Sequence, residues 1–174
     1  MTYQTGRITA VLFDLDDTLI DWSERLSSFA GTARPHVNNL YNYLTAEGHT
    51  MPEREILFEQ YNQTVVQGWD KAKKTWAGVN FGRVLINTFI RLGLDVTRID
   101  LDAAMHAFDW QPAPGVRPYA DTHTVLQALK EKEYKIGLVT NSMYPMWMRD
   151  VELEAYGMLD YFDARVTSGD TGYM

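Results

Sequence analysis

The chain contains no cysteine among its 174 residues, which excludes disulfide bonds, thiolate zinc sites and a cysteine nucleophile. Long apolar runs are also missing. No stretch approaches the roughly 20 apolar residues that span a bilayer, and the apolar run over residues 8–13 is too short for a signal peptide. We therefore expect a protein that has no membrane partner and is located in the cytoplasm.

The chain also has fewer basic than acidic residues. Sixteen basic residues stand against 23 acidic ones, which leaves a net charge of −7. No overall positive field draws the chain to nucleic acid or to anionic lipid, so we expect neither as a partner. Apolar residues make up 45% of the chain, which is enough for a sizeable core and argues against disorder.

Three apolar segments predict the strands of a parallel sheet in an α/β fold. They cover residues 8–13, 134–139 and 164–167, and the first is apolar on both faces, as in a strand that is buried on both sides. Polar residues follow each segment: Asp14, then Thr140 with Asn141, then Ser168. Because ligands in open α/β sheets bind beyond the carboxyl ends of the strands, we expect one shared site there.

A large insertion separates the first two strands, since a parallel crossover needs only about a dozen residues. Its apolar residues recur at steps of three and four, which predicts helices over 26–44, 56–66, 81–92 and 101–108. We expect Pro35 to kink or divide the first of them. Residues 111–115 form the linker back to the sheet. Pro118 is expected to open the next helix, and a further helix is expected over 145–156.

A cluster of carboxylates follows the first strand directly. Asp14, Asp16 and Asp17 repel one another, and a fold that gathers such residues at a strand end uses them to hold a cation or to transfer protons. A solvated turn is the alternative. A calcium loop of the EF-hand type is excluded, because Leu19 stands where that loop needs Gly and Arg25 stands where it needs Glu.

The residues after the first two strands carry a family resemblance. Asp14, Asp16 and Thr18 match the D-x-D-x-T motif of the haloacid dehalogenase-like hydrolase superfamily, and Thr140 matches the Ser or Thr that closes its second core strand. Residues 114–116, Pro-Gly-Val, resemble the return from a helical cap. The resemblance implies a Rossmann-like core made of residues 1–20 and 111–174, with a helical cap inserted at 21–110.

The resemblance also implies a role for each site residue. Asp14 would attack phosphorus and form an aspartyl phosphate, and Asp16 would act as general acid and then as general base. Mg²⁺ would lie between the Asp14 carboxylate, the backbone carbonyl of Asp16 and the phosphate, which Thr140 and Asn141 would bind. A carboxylate at position 16 favours phosphate transfer over dehalogenation, since a halide needs no proton. The expected substrate is a small phosphate monoester.

Two of the family's motifs are missing from the printed sequence. A Lys of the third motif and the acids of the fourth do not occur in their expected places, and residues 168–174 resemble only the approach to the third. We therefore expect a chain truncated before that motif, an incomplete sheet, and negligible turnover. An open sheet edge, or the cap, would then mediate a dimer. We assign no metal role to Asp170.

Two alternatives to a phosphatase remain at this point. The first is an inactive fragment or binding module that keeps the cap and half of the core, which the missing motifs favour. The second is a receiver-type phospho-acceptor domain, which also gathers acids after its first strand. Receivers have closely spaced strands and no helical insertion, so this alternative ranks last.

Overall fold

The computed structural model describes residues 8–174 and has a mixed α/β fold. None of the described helices is both long and apolar enough to cross a membrane. Short 3₁₀ turns lie at Val96–Arg98 and Leu159–Tyr161. The remaining elements are, in chain order, β1 (Ala10–Phe13), β2 (Ile20–Asp21), α1 (Phe29–Ala46), α2 (Arg54–Thr75), α3 (Phe81–Arg91), α4 (Leu101–Ala107), β3 (Arg117–Pro118), α5 (Thr122–Glu131), β4 (Lys135–Thr140), α6 (Met146–Ala155), β5 (Ala164–Thr167) and α7 (Ser168–Thr171).

The three predicted strands form one parallel sheet in the order β1-β4-β5. Phe13 pairs with Leu138, and Thr140 pairs with Thr167. All three strands therefore point in the same direction, and their carboxyl ends lie along one edge of the sheet. This arrangement confirms the predicted strands and brings the polar residues that follow them to a common edge.

The burial expected for β1 is wrong. Leu12 is 70% exposed and Val139 of the neighbouring β4 is 50% exposed, so one face of the sheet is open at this point. Within residues 8–174, β1 has a hydrogen-bonded neighbour on one side only, which is β4. The apolar residues of the segment correctly predicted a strand. Whether that strand is buried depends on whether another element covers it.

The insertion is helical, as predicted, and α1 to α4 surround an apolar cluster of their own. Its most buried members are Leu40, Leu44, Leu57, Tyr61, Phe81, Leu85, Phe89 and Phe108. Helix α1 begins after Ser28, whose hydroxyl accepts a hydrogen bond from the Gly31 amide at 3.1 Å. It runs through Pro35 without a break, so the expected division of this helix at Pro35 is wrong.

A second apolar cluster lies against the sheet, and its members come from both sides of the insertion. They include Leu15, Ile20, Leu126, Ile136, Leu138, Leu153 and Phe162. Met143 and Met148, which follow β4, belong instead to the cluster of the inserted helices. The segment after β4 therefore packs against the insertion and ties it to the carboxyl edge of the sheet.

The two chain segments that connect the sheet with the insertion pair with each other. Strands β2 and β3 are antiparallel, with Ile20 opposite Pro118. The expectation that Pro118 opens a helix is therefore wrong, and α5 begins at Thr122. Two hydrogen bonds hold the paired segments together. The Tyr119 amide and the Thr122 hydroxyl both donate to the carbonyl of Leu19, at 3.1 and 2.8 Å.

Gly115 is the position where the paired connections leave no room for a side chain. Its φ is +89°, and a Cβ there would overlap the backbone carbonyl of Glu24. We expect Gly115→Ala to destabilise the fold by at least about 1 to 3 kcal/mol from the left-handed φ alone, with the clash adding to this. Gly48→Ala is the matched control, since Gly48 has a φ of +82° and nothing within 4 Å of its added Cβ. Equal losses in urea unfolding would show that the overlap at Gly115 relaxes at no cost.

Candidate active site

Asp14 lies at the carboxyl end of β1 with its side chain exposed. Its Oδ1 accepts a hydrogen bond from the amide of the next residue, Leu15, at 2.8 Å. The chain then turns tightly, because the amides of Leu19 and Ile20 both bind the Leu15 carbonyl, at 2.9 and 3.1 Å. This turn leaves the exposed Asp14 carboxylate at the carboxyl edge of the sheet, where an electrophile can reach it.

Asp16 points in another direction and is held by three donors. Its Oδ1 accepts from Trp22 Nε1 at 2.8 Å and from Arg149 Nη2 at 2.7 Å. Its Oδ2 accepts from the hydroxyl of Thr140 at 3.3 Å. These donors come from the connection to the insertion, from α6 and from β4, so the orientation of this one carboxylate depends on three separate parts of the fold.

Two of the motifs noted in the sequence therefore meet in the structure. The bond between Thr140 and Asp16 joins residues that are 124 positions apart. Thr140 is only 1% exposed. Asn141 is exposed, and its Oδ1 accepts from the hydroxyl of Ser168 at 2.7 Å, which links the ends of β4 and β5. Thr140 and Asn141 thus lie beside the Asp14–Asp16 turn.

Arg149 and Glu152 of α6 complete the site, and neither was identified from the sequence. The side chains of Arg149 and Glu152 are 3% and 1% exposed, and Arg149 Nη1 lies 2.9 Å from Glu152 Oε2. The side chain of Trp110 is a further neighbour of the Glu152 carboxyl and favours its charged form. The spacing of three residues on a helix was the available signal, but nothing local indicated that the pair is buried.

Burial and charge act against each other in this buried pair. Burial, together with the nearby Asp16, raises the pKa of Glu152 to about 7 against the attraction of Arg149. Burial by itself lowers the pKa of Arg149, but Glu152 and Asp16 outweigh this effect, so that its pKa lies above the ordinary value. Arg149 therefore stays a cation, while Glu152 changes charge near neutral pH.

The raised pKa of Glu152 predicts a pH-dependent stability. The folded state favours the neutral carboxyl, so this contribution is fully present below the ordinary glutamate pKa of 4.5 and is lost as pH rises to about 7. Glu152→Gln removes the titration at nearly constant shape. As pH rises from 4.5 to 7, we expect the unfolding free energy of the wild type to fall relative to that of the variant. Urea unfolding at each pH measures this difference. A difference that is independent of pH would contradict the assignment.

The donor set of the site fits a partly hydrated magnesium ion. No three His, Cys, Asp or Glu side chains within residues 8–174 converge on a metal position. The expected ligands are of another kind: one exposed carboxylate, Asp14, and the backbone carbonyl of Asp16. The backbone hydrogen bonds of the turn use the Leu15 carbonyl and the Asp17 amide. The carbonyl of Asp16 takes no part in them. Mg²⁺ commonly binds one or two protein oxygens and keeps waters or substrate phosphate in its other positions.

Asp170 has a structural role in the described fold. Its Oδ2 accepts from the backbone amide of Met146, the first residue of α6, at 2.8 Å, and from the hydroxyl of Thr167 at 3.2 Å. A carboxylate at a helix N-terminus satisfies an amide that has no partner within the helix. Asp170 thus orients the helix that carries Arg149.

A cavity of about 670 Å³ opens beside these residues, between the carboxyl edge of the sheet and helices α1 and α2. Polar residues of the site are part of its lining: Asp16, Asp17, Asn141, Ser142 and Arg149. The cavity therefore adjoins the turn that carries Asp14. This arrangement suits attack by a carboxylate on an electrophile whose organic part occupies the cavity.

Comparisons with known proteins agree with this geometry. The glyceraldehyde 3-phosphate phosphatase of Methanothermobacter thermautotrophicus is 29% identical over 171 residues, which covers 95% of this chain and 65% of that protein. The chain thus spans just under two thirds of the length of this curated relative.

A solved structure with a TM-score above 0.5 has the same fold. The 2-haloacid dehalogenase from Pseudomonas syringae pv. Tomato DC3000 has a TM-score of 0.53 at 22% identity, covering 96% of this chain and 66% of that one. The HAD phosphatase from Thermococcus onnurineus has a TM-score of 0.48 at 24% identity, covering 93% and 63%. The model of the family described as haloacid dehalogenase-like hydrolase matches residues 8–174, and the chain therefore belongs to the haloacid dehalogenase-like hydrolases.

Proposed function

We propose that this hydrolase cleaves a phosphate monoester through an aspartyl phosphate formed on Asp14, with Mg²⁺ as its cofactor. The observation that carries the proposal is the contact between Thr140 and Asp16 at 3.3 Å, because it joins the residues that follow β1 and β4 into one site. The phosphatase named above supports the same reaction class. An acid at position 16 that can exchange a proton favours an alkoxide leaving group over a halide.

In the first displacement, a carboxylate oxygen of Asp14 attacks phosphorus. The new Asp14 O–P bond forms as the ester P–O bond breaks, and the leaving oxygen takes a proton from Asp16. In the second displacement, the ionised Asp16 removes a proton from water while that water attacks phosphorus. The bond from phosphorus to Asp14 then breaks, which releases inorganic phosphate and restores the carboxylate.

The remaining residues bind and orient in this proposal. Asn141 and Thr140 hold the phosphate at the carboxyl edge of the sheet. Thr140 has a single hydroxyl hydrogen, so a bond to phosphate replaces its bond to Asp16 and releases one of the three donors on that carboxylate. The Asp14 carboxylate and the Asp16 carbonyl would hold Mg²⁺, which would supply positive charge to offset the negative charge around the phosphate.

The proposal is tested by ligand stabilisation together with phosphate release. Mg²⁺ with beryllium fluoride, which mimics an aspartyl phosphate, should raise the melting temperature of the chain, because a ligand at 100 times its Kd stabilises by about 2.7 kcal/mol. Asp14→Asn should lose this effect, and EDTA should stop phosphate release from monoesters. Equal stabilisation of wild type and Asp14→Asn would refute the site, and turnover unaffected by EDTA would refute the cofactor.

Two further expectations from the sequence stay predictions. A dimer through the open edge of β1 is supported because, within residues 8–174, β1 has a hydrogen-bonded strand on one side only, and sedimentation of wild type and Leu12→Lys would test it. A monomer at all concentrations would refute this dimer. The cytoplasmic location also stays a prediction.

A further inference from the structure

The wall of the cavity is aromatic as well as polar. Six aromatic side chains line it: Trp22, Phe29, Tyr61, Trp69, Trp110 and Tyr144. The rings of Trp110 and Tyr144 lie 4.0 Å apart between centroids. The hydroxyls of Tyr61 and Tyr144 are 3.4 Å apart, and Trp22 Nε1 donates to Asp16, so these three side chains direct their polar atoms at protein groups.

We infer that the substrate is a phosphate monoester whose organic part is apolar and of aromatic size. The inference rests on the proposed function, because it places the phosphate at Asp16 and Asn141 and leaves the aromatic part of the cavity to the alcohol. The residues at the proposed phosphate position and the aromatic residues line one cavity. A ligand that is anionic at one end and apolar along its body matches both.

The size of the cavity decides against a small polyol phosphate. A volume of about 670 Å³ lies in the range of pockets that hold drug-sized ligands, roughly 300 to 1,000 Å³. A three-carbon polyol would fill only a small part of it. Its hydroxyls would also lose water against an aromatic wall, at a cost of about 1 to 3 kcal/mol for each one left without a partner.

Apart from the residues around Asp16, the polar side chains of the lining lie on α1 and α2. They are Thr32, Asn62, Asp70 and Lys73. The Thr32 hydroxyl is already used, because it donates to the Phe29 carbonyl at 2.7 Å. Lys73 Nζ lies 3.8 Å from Asp70 Oδ1 with both side chains largely exposed. A polar substituent is thus accommodated beside α2, and the substrate class is an apolar or aryl phosphate with few polar groups in its body.

Binding of non-hydrolysable phosphonates tests the inference without turnover. The probes are 1-naphthylmethylphosphonate and a phosphonate of a three-carbon polyol, both with Mg²⁺, followed by the fluorescence of Trp22, Trp69 and Trp110 in the cavity wall. We expect the naphthyl probe to bind at least about tenfold more tightly, since burying an aromatic side chain is worth about 1.5 to 3 kcal/mol. Equal or tighter binding of the polyol phosphonate would overturn the substrate class.

A pair of exposed valines provides matched variants that should not unfold the protein. Val66 lines the cavity and is 58% exposed, whereas Val125 on α5 is 40% exposed and lies outside the cavity lining. Val66→Asn should weaken naphthyl binding about threefold or more and leave polyol binding unchanged, while Val125→Asn should change neither. Equal effects of the two variants on naphthyl binding would also overturn the inference.

Failure of the inference and failure of the proposed function give different results. Hydrolysis of polyol phosphates in preference to naphthyl phosphate would refute the inferred substrate class but not the proposed phosphatase activity. Tight naphthyl phosphonate binding with no Mg²⁺-dependent hydrolysis of any monoester would refute the proposed phosphatase activity. That second result would support an apolar anion as the ligand of a binding module.

Discussion

Asp14→Asn is expected to abolish formation of the aspartyl phosphate, whereas Asp16→Asn is expected to slow both its formation and its hydrolysis. The two residues differ in the proposed mechanism, in which Asp14 supplies the bond to phosphorus and Asp16 supplies only protons. General acid–base catalysis contributes about 10²- to 10⁴-fold, which is the range expected for the loss at Asp16. Rapid quench with labelled monoester, followed by hydroxylamine treatment of the protein, measures the acyl phosphate directly and requires a single turnover.

Asp17→Asn is the control for this experiment. Asp17 lies in the same turn, is exposed, and has a φ of +58° that Asn adopts readily. Its replacement removes one negative charge without touching the proposed chemistry, so labelling should stay near the wild-type level. Unimpaired labelling of Asp14→Asn would exclude Asp14 as the nucleophile. A loss in Asp17→Asn as large as that in Asp16→Asn would show that net charge, and not proton transfer, sets the rate.

Arg149→Met is expected to produce the largest loss of stability among the charged residues of the site. Removing one partner of a buried ion pair costs about 3 to 5 kcal/mol, because the other charge is left buried and uncompensated. Here the Arg149 guanidinium is 3% exposed and contacts both Asp16 and Glu152. We also expect Asp16 to lose its orientation and turnover to fall, since Arg149 is one of its three donors.

The control for Arg149→Met is Arg165→Met. Arg165 binds Asp150 with contacts of 2.7 and 3.3 Å, but these side chains are 27% and 28% exposed. Ion pairs near solvent contribute about 0 to 1 kcal/mol, so this variant should be nearly neutral. The loss in Arg149→Met should also be smaller at pH 5 than at pH 8, because Glu152 can then be neutral. Equal losses in the two variants would contradict the importance of burial.

Arg149 also brings positive charge to the carboxylates of the site. With no third-motif Lys in its expected place, Asp14, Asp16 and a phosphate would meet without a nearby cation. The structure brings a buried guanidinium to 2.7 Å from Asp16, from a helix that begins five residues after Asn141. Part of the repulsion at the site is therefore offset from within residues 8–174.

Local patterns explain the elements that the sequence predicted well. Strand β5 covers the predicted 164–167, and helices α3, α4 and α6 begin or end within a residue or two of their predicted limits. Gly93 and Gly157, with φ of +71° and +65°, follow α3 and α6 as expected of residues that end helices. Such patterns lie within a few residues of one another, so no knowledge of the packing is needed to read them.

The errors lie where a contact from elsewhere in the chain overrides the local preference. Pro118 is a good first residue for a helix, but pairing with Ile20 places it in β3. The segment 8–13 has the composition of a buried strand, but Leu12 is exposed because nothing in the described fold covers it. Local sequence contains no information on which of these contacts will form.

The sequence by itself determined the fold class, the helical insertion and the identity of Asp14, Asp16, Thr140 and Asn141 as site residues to examine, because these follow from periodicity and short motifs. Only the tertiary structure decided that Asp16 is held by Arg149, 133 residues further along the chain, and that aromatic side chains of the insertion and of the segment after β4 line one cavity. The physical reason is that burial and pairing of a side chain depend on which distant elements pack around it, and that packing is a property of the whole fold.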